Sequence, residues 1–466
     1  MADQEFERDE RLIEARRLKR LEMKRRRMIR QRITLGVIFV VLVVLIVVIV
    51  RSCGSSDTPT DPVTPPVDPD TTITDTPDPT PASATATLSA VGDIMIYESQ
   101  LQDALQDDGT YNFLPSLAPV STLLTASDLT VGNFEANFGG DPAGYPNFRA
   151  PTSLATTLSG LGFDILQTAN TYSIQNGVTG LQSTVSTIRD AGMDTLGTYL
   201  SADDKAANQV VVREVNGIRI AFIGFTKGLN NLTLPTGSEY AVDLLYTDYA
   251  TNYSTVNTAA ISAAVTAAQA TEPDVIVAMV HWGSEYETTV SSTQEQIANQ
   301  LIQSGVDVIL GSHPHIVGPM ELRTVTVDGA EKEVFIAYSL GNFLAAMTRE
   351  DQTYLNEGVV LNLEFTKTGD ETVISSVDYV PTYRFDNGET AINRYEVRSV
   401  YDVLNNNPDE TTRTLMEQAL TNLANNTAST FARANTGAAD ATDTSGTADT
   451  SGSTDTSGST DTGSAQ

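Results

Sequence analysis

The chain has three histidines, and all of them fall between positions 281 and 315. His281 follows the aliphatic run VIVAMV, and His313 and His315 follow the run VDVILGS. Both runs are typical of buried strands, so the three imidazoles are expected at strand ends. Imidazole is both a general acid or base near neutral pH and a common metal ligand. The spacing therefore predicts a metal site or an acid–base site.

Side chains with oxygen donors also follow predicted strands earlier in the chain. Asp93 in VGDIM, Asn133 and Glu135 in VGNFE, and Asn170 in QTAN each follow an apolar run. In an open α/β sheet, ligands collect at the carboxyl ends of the strands. Carboxylate, amide and imidazole groups suit Zn, Mn or Fe, whereas a closed structural zinc site usually needs thiolates, and Cys53 is the only cysteine. The HPH segment is expected to be extended, which would place both rings on one face.

Four further residues are candidates for catalysis or substrate binding. Glu285 in HWGSE is a candidate catalytic residue, while Arg149, Trp282 and Asn342 are candidates for substrate binding. Each has a structural alternative: a solvated carboxylate for Glu285, a surface ion pair for Arg149, and a core position for Trp282. Asn342, like Asn170, is also compatible with a turn.

The pattern of elements predicts an α/β fold with a mixed sheet. Apolar runs at 88–96, 128–136 and 163–170 alternate with helical patterns, as do the strands predicted at 274–280 and 306–310. Two hairpins interrupt this alternation, with turns at Asn216-Gly217 and Asp328-Gly329. An amphipathic segment at 411–426 is expected to pack a helix on the core.

The N-terminal region predicts a single membrane span. Residues 33–50 are 18 uncharged and mostly β-branched residues, enough to cross a hydrocarbon core as a helix. The preceding 32 residues contain 12 Lys and Arg, so the positive-inside rule places the N-terminus in the cytoplasm and the remainder outside the cell membrane. A cleavable signal peptide is the alternative, although Arg51 and Ser52 make no small-residue cleavage site.

Composition sets the remaining boundaries. Residues 54–87 are rich in Pro, Thr and Asp, and the C-terminus repeats TDTSG-like units, so both are expected to be solvated and disordered. The predicted organisation is a basic cytoplasmic segment 1–32, a transmembrane helix 33–50, a linker 51–87, a folded domain 88–400, a helical segment 401–435 and an acidic tail 436–466. The net charge of −31 argues against nucleic acid as a partner.

The ordered motifs resemble those of the capsule-synthesis protein CapA family, also called poly-γ-glutamate synthesis proteins. The resemblance covers about residues 88–383 and includes VGDIM (91–95), GNFE (132–135), TAN (168–170), HWGSEYE (281–287), GSHPHIVGPME (311–321) and YSLGNF (338–343). It implies a layered α/β sandwich like that of calcineurin-type metallophosphoesterases, with two divalent ions (Mn, Zn or Fe) at the strand ends.

The same resemblance assigns ligands by motif. Asp93 and His315 resemble ligands of one ion, Asn170, His281 and His313 resemble ligands of a second, and Glu135 resembles a shared ligand. One position departs from the family pattern, since ANNH is usual where this chain has Ala169 to Tyr172. Tyr172 replaces the expected general-acid histidine and is a candidate proton donor. Two alternatives stay open: a hydrolase, and a protein that keeps the pocket without catalysis.

The leading functional hypothesis is a membrane-anchored, outward-facing protein of capsule or poly-γ-glutamate assembly, export or anchoring. Its expected partners are membrane synthase or export subunits, with an anionic polymer or another envelope component as substrate. One alternative is a metal-dependent phosphoesterase or amide hydrolase of the cell envelope. The other is a metal-free scaffold module on a stalk.

Overall fold

The computed structural model describes residues 83–327, 329–349, 353–427 and 431–433. The predicted cytoplasmic segment, transmembrane helix and acidic tail lie outside these residues, as does residue 328 of the second hairpin turn. Among the described helices, none combines the length and the apolar character that a membrane crossing requires.

The described residues form sixteen strands and ten α-helices in alternation. The strands are β1 (Ser83–Ile94), β2 (Leu129–Phe134), β3 (Asn137–Phe138), β4 (Arg149–Ala150), β5 (Ile165–Gln167), β6 (Asp194–Leu196), β7 (Val211–Val215), β8 (Ile218–Thr226), β9 (Val275–His281), β10 (Val308–Ser312), β11 (Met320–Val327), β12 (Ala330–Ala337), β13 (Asn342–Leu344), β14 (Glu357–Thr368), β15 (Glu371–Asp386) and β16 (Tyr395–Ser399). The helices are α1 (Glu98–Ala104), α2 (Leu114–Leu117), α3 (Ser121–Leu124), α4 (Ser153–Gly160), α5 (Gly177–Asp190), α6 (Ala202–Asn208), α7 (Thr258–Gln269), α8 (Ser292–Gln303), α9 (Val400–Asn405) and α10 (Glu410–Asn426). Short 3₁₀ turns cover Ala118–Val120 and Thr353–Asn356.

Two mixed sheets carry the fold, which confirms the α/β prediction. The first has the order β16-β15-β14-β1-β2-β5-β6, with β13 also paired to β1, and the second has the order β11-β12-β10-β9-β8-β7. In the first sheet, β1, β2, β5 and β6 are parallel, and β14, β15 and β16 continue it antiparallel on the other side of β1. In the second sheet, β12, β10, β9 and β8 are parallel, and the edge strands β11 and β7 are antiparallel. The carboxyl ends of the parallel strands of each sheet therefore lie along one edge.

The sheets pack face to face, with helices on both outer sides. One apolar cluster joins residues of both sheets, among them Leu88, Val131, Phe222 and Leu310. A second cluster packs the region of α2 and α4 against the first sheet, and a third packs α7 and α8 against the second. This layering follows from the sequence, because strands apolar on both faces need cover on both sides.

Several local predictions can be compared with the structure. The first hairpin is confirmed, since Asn216 and Gly217 both have positive φ, as a type I′ turn requires. The amphipathic segment at 411–426 forms α10 and buries Met416, Ala419 and Leu423. The first strand begins at Ser83, before the predicted domain start at 88, because β14 continues the pairing as far as Thr368.

Gly92 allows β13 to approach the end of β1. Asp93 donates its backbone N–H to the carbonyl oxygen of Gly341 at 2.9 Å, and a Cβ added at Gly92 would overlap that same oxygen. We expect Gly92→Ala to lower the free energy of unfolding by about 3 kcal/mol or more. Urea unfolding measures this change, with Gly160→Ala as control because a Cβ there meets no atom within 4 Å. Equal stability of the two variants would contradict the proposed close packing.

Glu357 is a buried carboxylate at the start of β14. Its Oε1 accepts a 2.7 Å hydrogen bond from Nδ2 of Asn422 in α10, and burial raises its pKa to about 7 despite that bond. A carboxyl group whose pKa is higher in the folded than in the unfolded state stabilises the fold at pH values below its unfolded pKa, about 4.5. This contribution is lost as the pH rises through the pKa of the folded state, about 7. We therefore expect Glu357→Gln to gain stability relative to the native chain between pH 4 and pH 8, by at most about 3 kcal/mol. If the difference in melting temperature between the native chain and Glu357→Gln is the same at every pH in this range, the prediction is refuted.

Candidate metal centre

The carboxyl ends of the central strands bring the predicted donors together. In the first sheet Asp93 is paired in register with Asn133, and in the second Thr226 and Ser312 flank His281. Because both sheets present these ends on the same side, donors from distant stretches of the chain meet at one place.

Asp93 and His315 form a buried pair. Oδ1 of Asp93 accepts from Nδ2 of Asn133 at 2.7 Å, and Nδ1 of His315 donates to Oδ2 at 2.8 Å. Burial lowers the pKa of His315, but the hydrogen bond and charge of Asp93 outweigh burial and raise that pKa to about 9. Without a cation, His315 is therefore protonated on both ring nitrogens and positively charged at neutral pH.

Glu135 and His281 are both fully buried and approach each other without a hydrogen bond. Oε2 of Glu135 lies 3.1 Å from Nε2 of His281, yet that nitrogen has no hydrogen-bond partner in the described structure, and neither does Oε1 of Glu135. Two donor atoms that point at a common position lie close together without pointing at each other, which accounts for a short distance without a hydrogen bond. Buried polar atoms are almost always satisfied, so this pair fits a cation that both atoms would bind.

His313 completes the cluster from the loop after β10. Its ring centroid lies 4.6 Å from that of His281 and 6.1 Å from that of His315. Burial lowers the pKa of His313 well below its usual value, with further contributions from His281 and Lys227, so its ring is neutral and able to bind a cation.

The extended HPH segment expected from the sequence is wrong. His313 and His315 have φ values of 95° and 59°, in the left-handed region. Such backbone costs about 1–3 kcal/mol per residue and is typical of functional sites. The rings therefore approach each other because the loop curls, rather than because they share one face of a strand.

Three overlapping groups have all their ligand atoms within 4.8 Å of one another. They are Glu135 with His281 and His313, Asp93 with Glu135 and His315, and Glu285 with His313 and His315. Glu135 belongs to two groups, as expected for a shared ligand. This geometry agrees with two adjacent cation positions, although the ligand roles themselves stay predictions.

Asn170 is buried beside these groups. Its Nδ2 donates to the carbonyl oxygen of Phe134 at 2.8 Å, and its Oδ1 accepts from the backbone N–H of Tyr172 at 3.1 Å. The amide is thus held in place with its oxygen already accepting one hydrogen bond. A carbonyl oxygen has a second lone pair, so binding a cation stays a prediction for Asn170.

The two candidate catalytic residues flank the cluster. The Tyr172 ring packs edge-on against Phe148 with centroids 4.6 Å apart. Burial, followed by the charges of Glu135 and Glu285, raises the pKa of Tyr172, so this phenol is protonated at neutral pH and is not a base, while its role as a proton donor stays a prediction. Glu285 is exposed and lies within the third donor group.

The three predicted substrate-binding residues have different positions. For Trp282 the prediction is wrong: the side chain is fully buried, stacks on Tyr338 and donates Nε1–H to the Tyr338 carbonyl oxygen at 2.9 Å. Asn342 is buried and paired with Asp93 in register, and its Nδ2 donates to the Leu355 carbonyl oxygen. Arg149 lies in β4, outside the three donor groups, and its role stays a prediction.

Three residues of the site escaped the sequence reasoning. The Thr226 hydroxyl lies 3.4 Å from Nδ1 of His281, and the Thr171 hydroxyl lies 3.4 Å from Nδ1 of His313. These contacts orient the two imidazole rings. Lys227 follows Thr226 directly and lines a cavity of about 340 Å³ together with His313 and Glu285. The sequence signal for Thr226 and Lys227 is a polar pair after the apolar run of β8, and Thr171 directly follows Asn170.

Comparison with known proteins decides the family. The family described as "Bacterial capsule synthesis protein PGA_cap" matches residues 87–347, more than half of the chain. The chain belongs to this family. The match spans Asp93 through His315, so all three donor groups lie within the family region.

Two curated relatives carry the same family name. The chain is 28% identical over 277 residues to "PGA biosynthesis protein CapA" of Bacillus subtilis (strain 168), covering 55% of this chain and 62% of that protein. It is 27% identical over 269 residues to "Capsule biosynthesis protein CapA" of Bacillus anthracis, covering 55% and 59%. The matched region thus spans about three fifths of the length of these relatives.

Solved structures show only distant similarity. A calcineurin-like phosphoesterase YfkN from Bacillus subtilis is 15% identical with a TM-score of 0.36, covering 74% of this chain and 99% of that one. A putative 5'-nucleotidase from Staphylococcus aureus is 14% identical with a TM-score of 0.38, covering 72% and 58%. Similarity at this level does not bear on the function of this chain.

Proposed function

We propose that this family member is anchored in the cell membrane, faces outward, and acts in capsule or poly-γ-glutamate biosynthesis, export or anchoring through a divalent metal centre. The observation that carries the proposal is the buried pair of Glu135 and His281, whose donor atoms lie close together without a hydrogen bond. A carboxylate oxygen and an imidazole nitrogen in this arrangement are suited to Mn, Zn or Fe.

The residues that would hold the cations divide into two groups around Glu135. Asp93 and His315 lie on one side, while His281 and His313 lie on the other. A bound divalent pair would act as a Lewis acid toward a phosphoryl or carbonyl oxygen. The chain's own contribution is to orient the ligands through Thr226, Thr171 and Asn133.

The membrane location rests on the sequence. The apolar run 33–50 and the basic residues before it support a single span with a cytoplasmic N-terminus. On that topology the metal centre is extracellular, and the partners are membrane synthase or export subunits of the polymer pathway. Protease added to intact cells would then digest the folded domain and spare the N-terminal segment.

Deletion and complementation of the gene test the proposal. In the bacterium that carries this chain, deletion is expected to reduce surface polymer, and the native gene is expected to restore it. A gene encoding His313→Ala should fail to restore it at equal protein level, because that variant lacks one ligand in each of two donor groups. Full restoration by the variant would refute a role for the metal centre.

Hydrolysis of a phosphoester or amide in an envelope component is the second candidate function. The cavity lined by His313 and Glu285 favours it, because it opens a ligand-sized space directly beside the donor cluster. Tyr172, which is protonated at neutral pH, would supply the proton to the leaving group.

A further inference from the structure

Lys227 differs from every other lysine in the part of the chain that the structure describes. Lys205, Lys332 and Lys367 each form an ion pair with an aspartate, at 2.5, 2.7 and 2.7 Å. Within the described residues, no carboxylate forms an ion pair with Lys227, although the side chain is partly buried. Its acidic neighbour is Glu285 on the wall of the same cavity: burial lowers the pKa of Lys227, and the charge of Glu285 raises it. A partly buried lysine without a direct carboxylate partner is unusual, because burying a cation costs free energy.

The Lys227 ammonium is held in position by neutral groups. It donates a hydrogen bond to the carbonyl oxygen of Gly283 and lies 4.8 Å from the centroid of the Tyr253 ring. The backbone N–H of Lys227 also donates to the carbonyl oxygen of His281 at 2.8 Å. The strand end that positions His281 therefore also positions this cation.

The cavity beside Lys227 shares two residues, Glu285 and His313, with the donor groups. Its lining also includes Thr171, Asn231 and Tyr253. Hydroxyl and amide groups on the wall are suited to hydrogen bonds with a polar ligand. A group held by Lys227 would lie next to the reacting position at the metal centre.

We propose that Lys227 and this cavity form a subsite for an anionic oxygen group of the substrate, a phosphate or a carboxylate, adjacent to the metal centre. The proposal rests on the proposed function, since the subsite would serve a reaction or binding event at that centre. It reconciles a strongly acidic protein with an anionic substrate, because the chain's net charge of −31 repels anions at long range while one local cation selects them.

Calorimetry on the full-length chain in detergent tests the subsite. Inorganic phosphate and glutarate serve as probes, each titrated into Mn-loaded and EDTA-treated protein. We expect at least one probe to bind, and Lys227→Met to weaken that binding about tenfold or more. Lys367→Met, which removes the same charge beside Asp274, should bind the probes like the native chain.

The outcomes separate the two proposals. Preference for phosphate identifies a phosphate ester as the source of the anion, and preference for glutarate identifies a carboxylate. Failure of both probes, or equal binding by Lys227→Met, overturns the subsite. Manganese affinity is measured in the same preparations: if the native chain binds no metal, the proposed function fails, while the EDTA-treated samples still decide the role of Lys227.

A measurement on the native chain covers the case in which Lys227→Met does not fold. Acetylation of lysines by a mild acylating reagent is followed by mass spectrometry with and without phosphate or glutarate. The expected result is slower acetylation of Lys227 in the presence of the bound anion, with no change at Lys367. Equal acetylation of Lys227 in all samples would overturn the proposal.

Discussion

Glu135→Gln is expected to lower the affinity of the chain for Mn²⁺ or Zn²⁺ by about a hundredfold or more. Glu135 belongs to two of the three ligand groups, and a neutral amide is a much weaker ligand than a carboxylate. Metal titration by calorimetry measures the loss. Since a ligand that binds only the native state raises its stability, the metal-induced rise in melting temperature should shrink in parallel.

The metal-free state provides the internal check on this result. Glu135 is fully buried with one carboxylate oxygen unsatisfied, so Glu135→Gln should keep or raise stability without metal. Glu214→Ala is the matched control, because Glu214 lies on β7 and contacts Arg219 at the start of β8, at the opposite end of the strand from the donors. Equal metal affinity in the native chain and Glu135→Gln would show that Glu135 is not a ligand.

Tyr172→Phe is expected to lower kcat for hydrolysis of a p-nitrophenyl phosphodiester or a γ-glutamyl peptide by about a hundredfold, with metal affinity unchanged. The reason is the loss of the proposed proton donor, because general acid catalysis by a positioned side chain typically raises the rate by about 10²–10⁴-fold. Steady-state kinetics with Mn²⁺ present measures the effect. Because burial raises the pKa of Tyr172, the phenol should stay protonated throughout the neutral range.

Tyr145→Phe is the control for Tyr172→Phe. Tyr145 contacts the same Phe148 ring, with centroids 5.7 Å apart, but its side chain is exposed. Turnover that is equal in the native chain and Tyr172→Phe would exclude the tyrosine as proton donor. Absence of turnover in the metal-loaded native chain would instead favour the non-catalytic alternative, in which the pocket binds without hydrolysis.

The donor cluster was predictable because its geometry follows from strand direction. His281 and the HPH segment each follow an aliphatic run, and parallel strands bring their carboxyl ends to one edge of a sheet. The same reasoning placed Asp93 and Glu135 at strand ends, and the structure shows these ends in the other sheet. Local sequence patterns do not predict how two sheets pack against each other. Only the family resemblance implied that the strand ends of the two sheets lie close together.

The direction of the side chains at the strand ends was harder to predict from the sequence. Trp282 follows His281 directly, and one residue along a strand reverses the face to which a side chain points. The histidine therefore enters the cluster while the tryptophan packs on Tyr338 in the core. The left-handed backbone of His313 and His315 has no sequence signal either, since surrounding contacts impose it against local preference.

Buried charges were also missed, for a related reason. Glu357 begins β14, whose first five residues are all buried, and Asn422 of α10 donates a hydrogen bond to its carboxylate. Lys227 is one of four lysines in the folded region, and sequence alone does not reveal that the other three have acidic partners. Such residues are identified by tertiary contacts, which single-sequence patterns do not encode.

Elemental analysis of the purified chain tests the central claim most directly. The convergence of Asp93, Glu135 and the three histidines predicts about two divalent ions per chain after dialysis against trace Mn or Zn. A His281→Ala, His313→Ala, His315→Ala triple variant that retains its fold should retain almost none. A native chain without metal, or a triple variant with the same metal content as the native chain, would contradict the account.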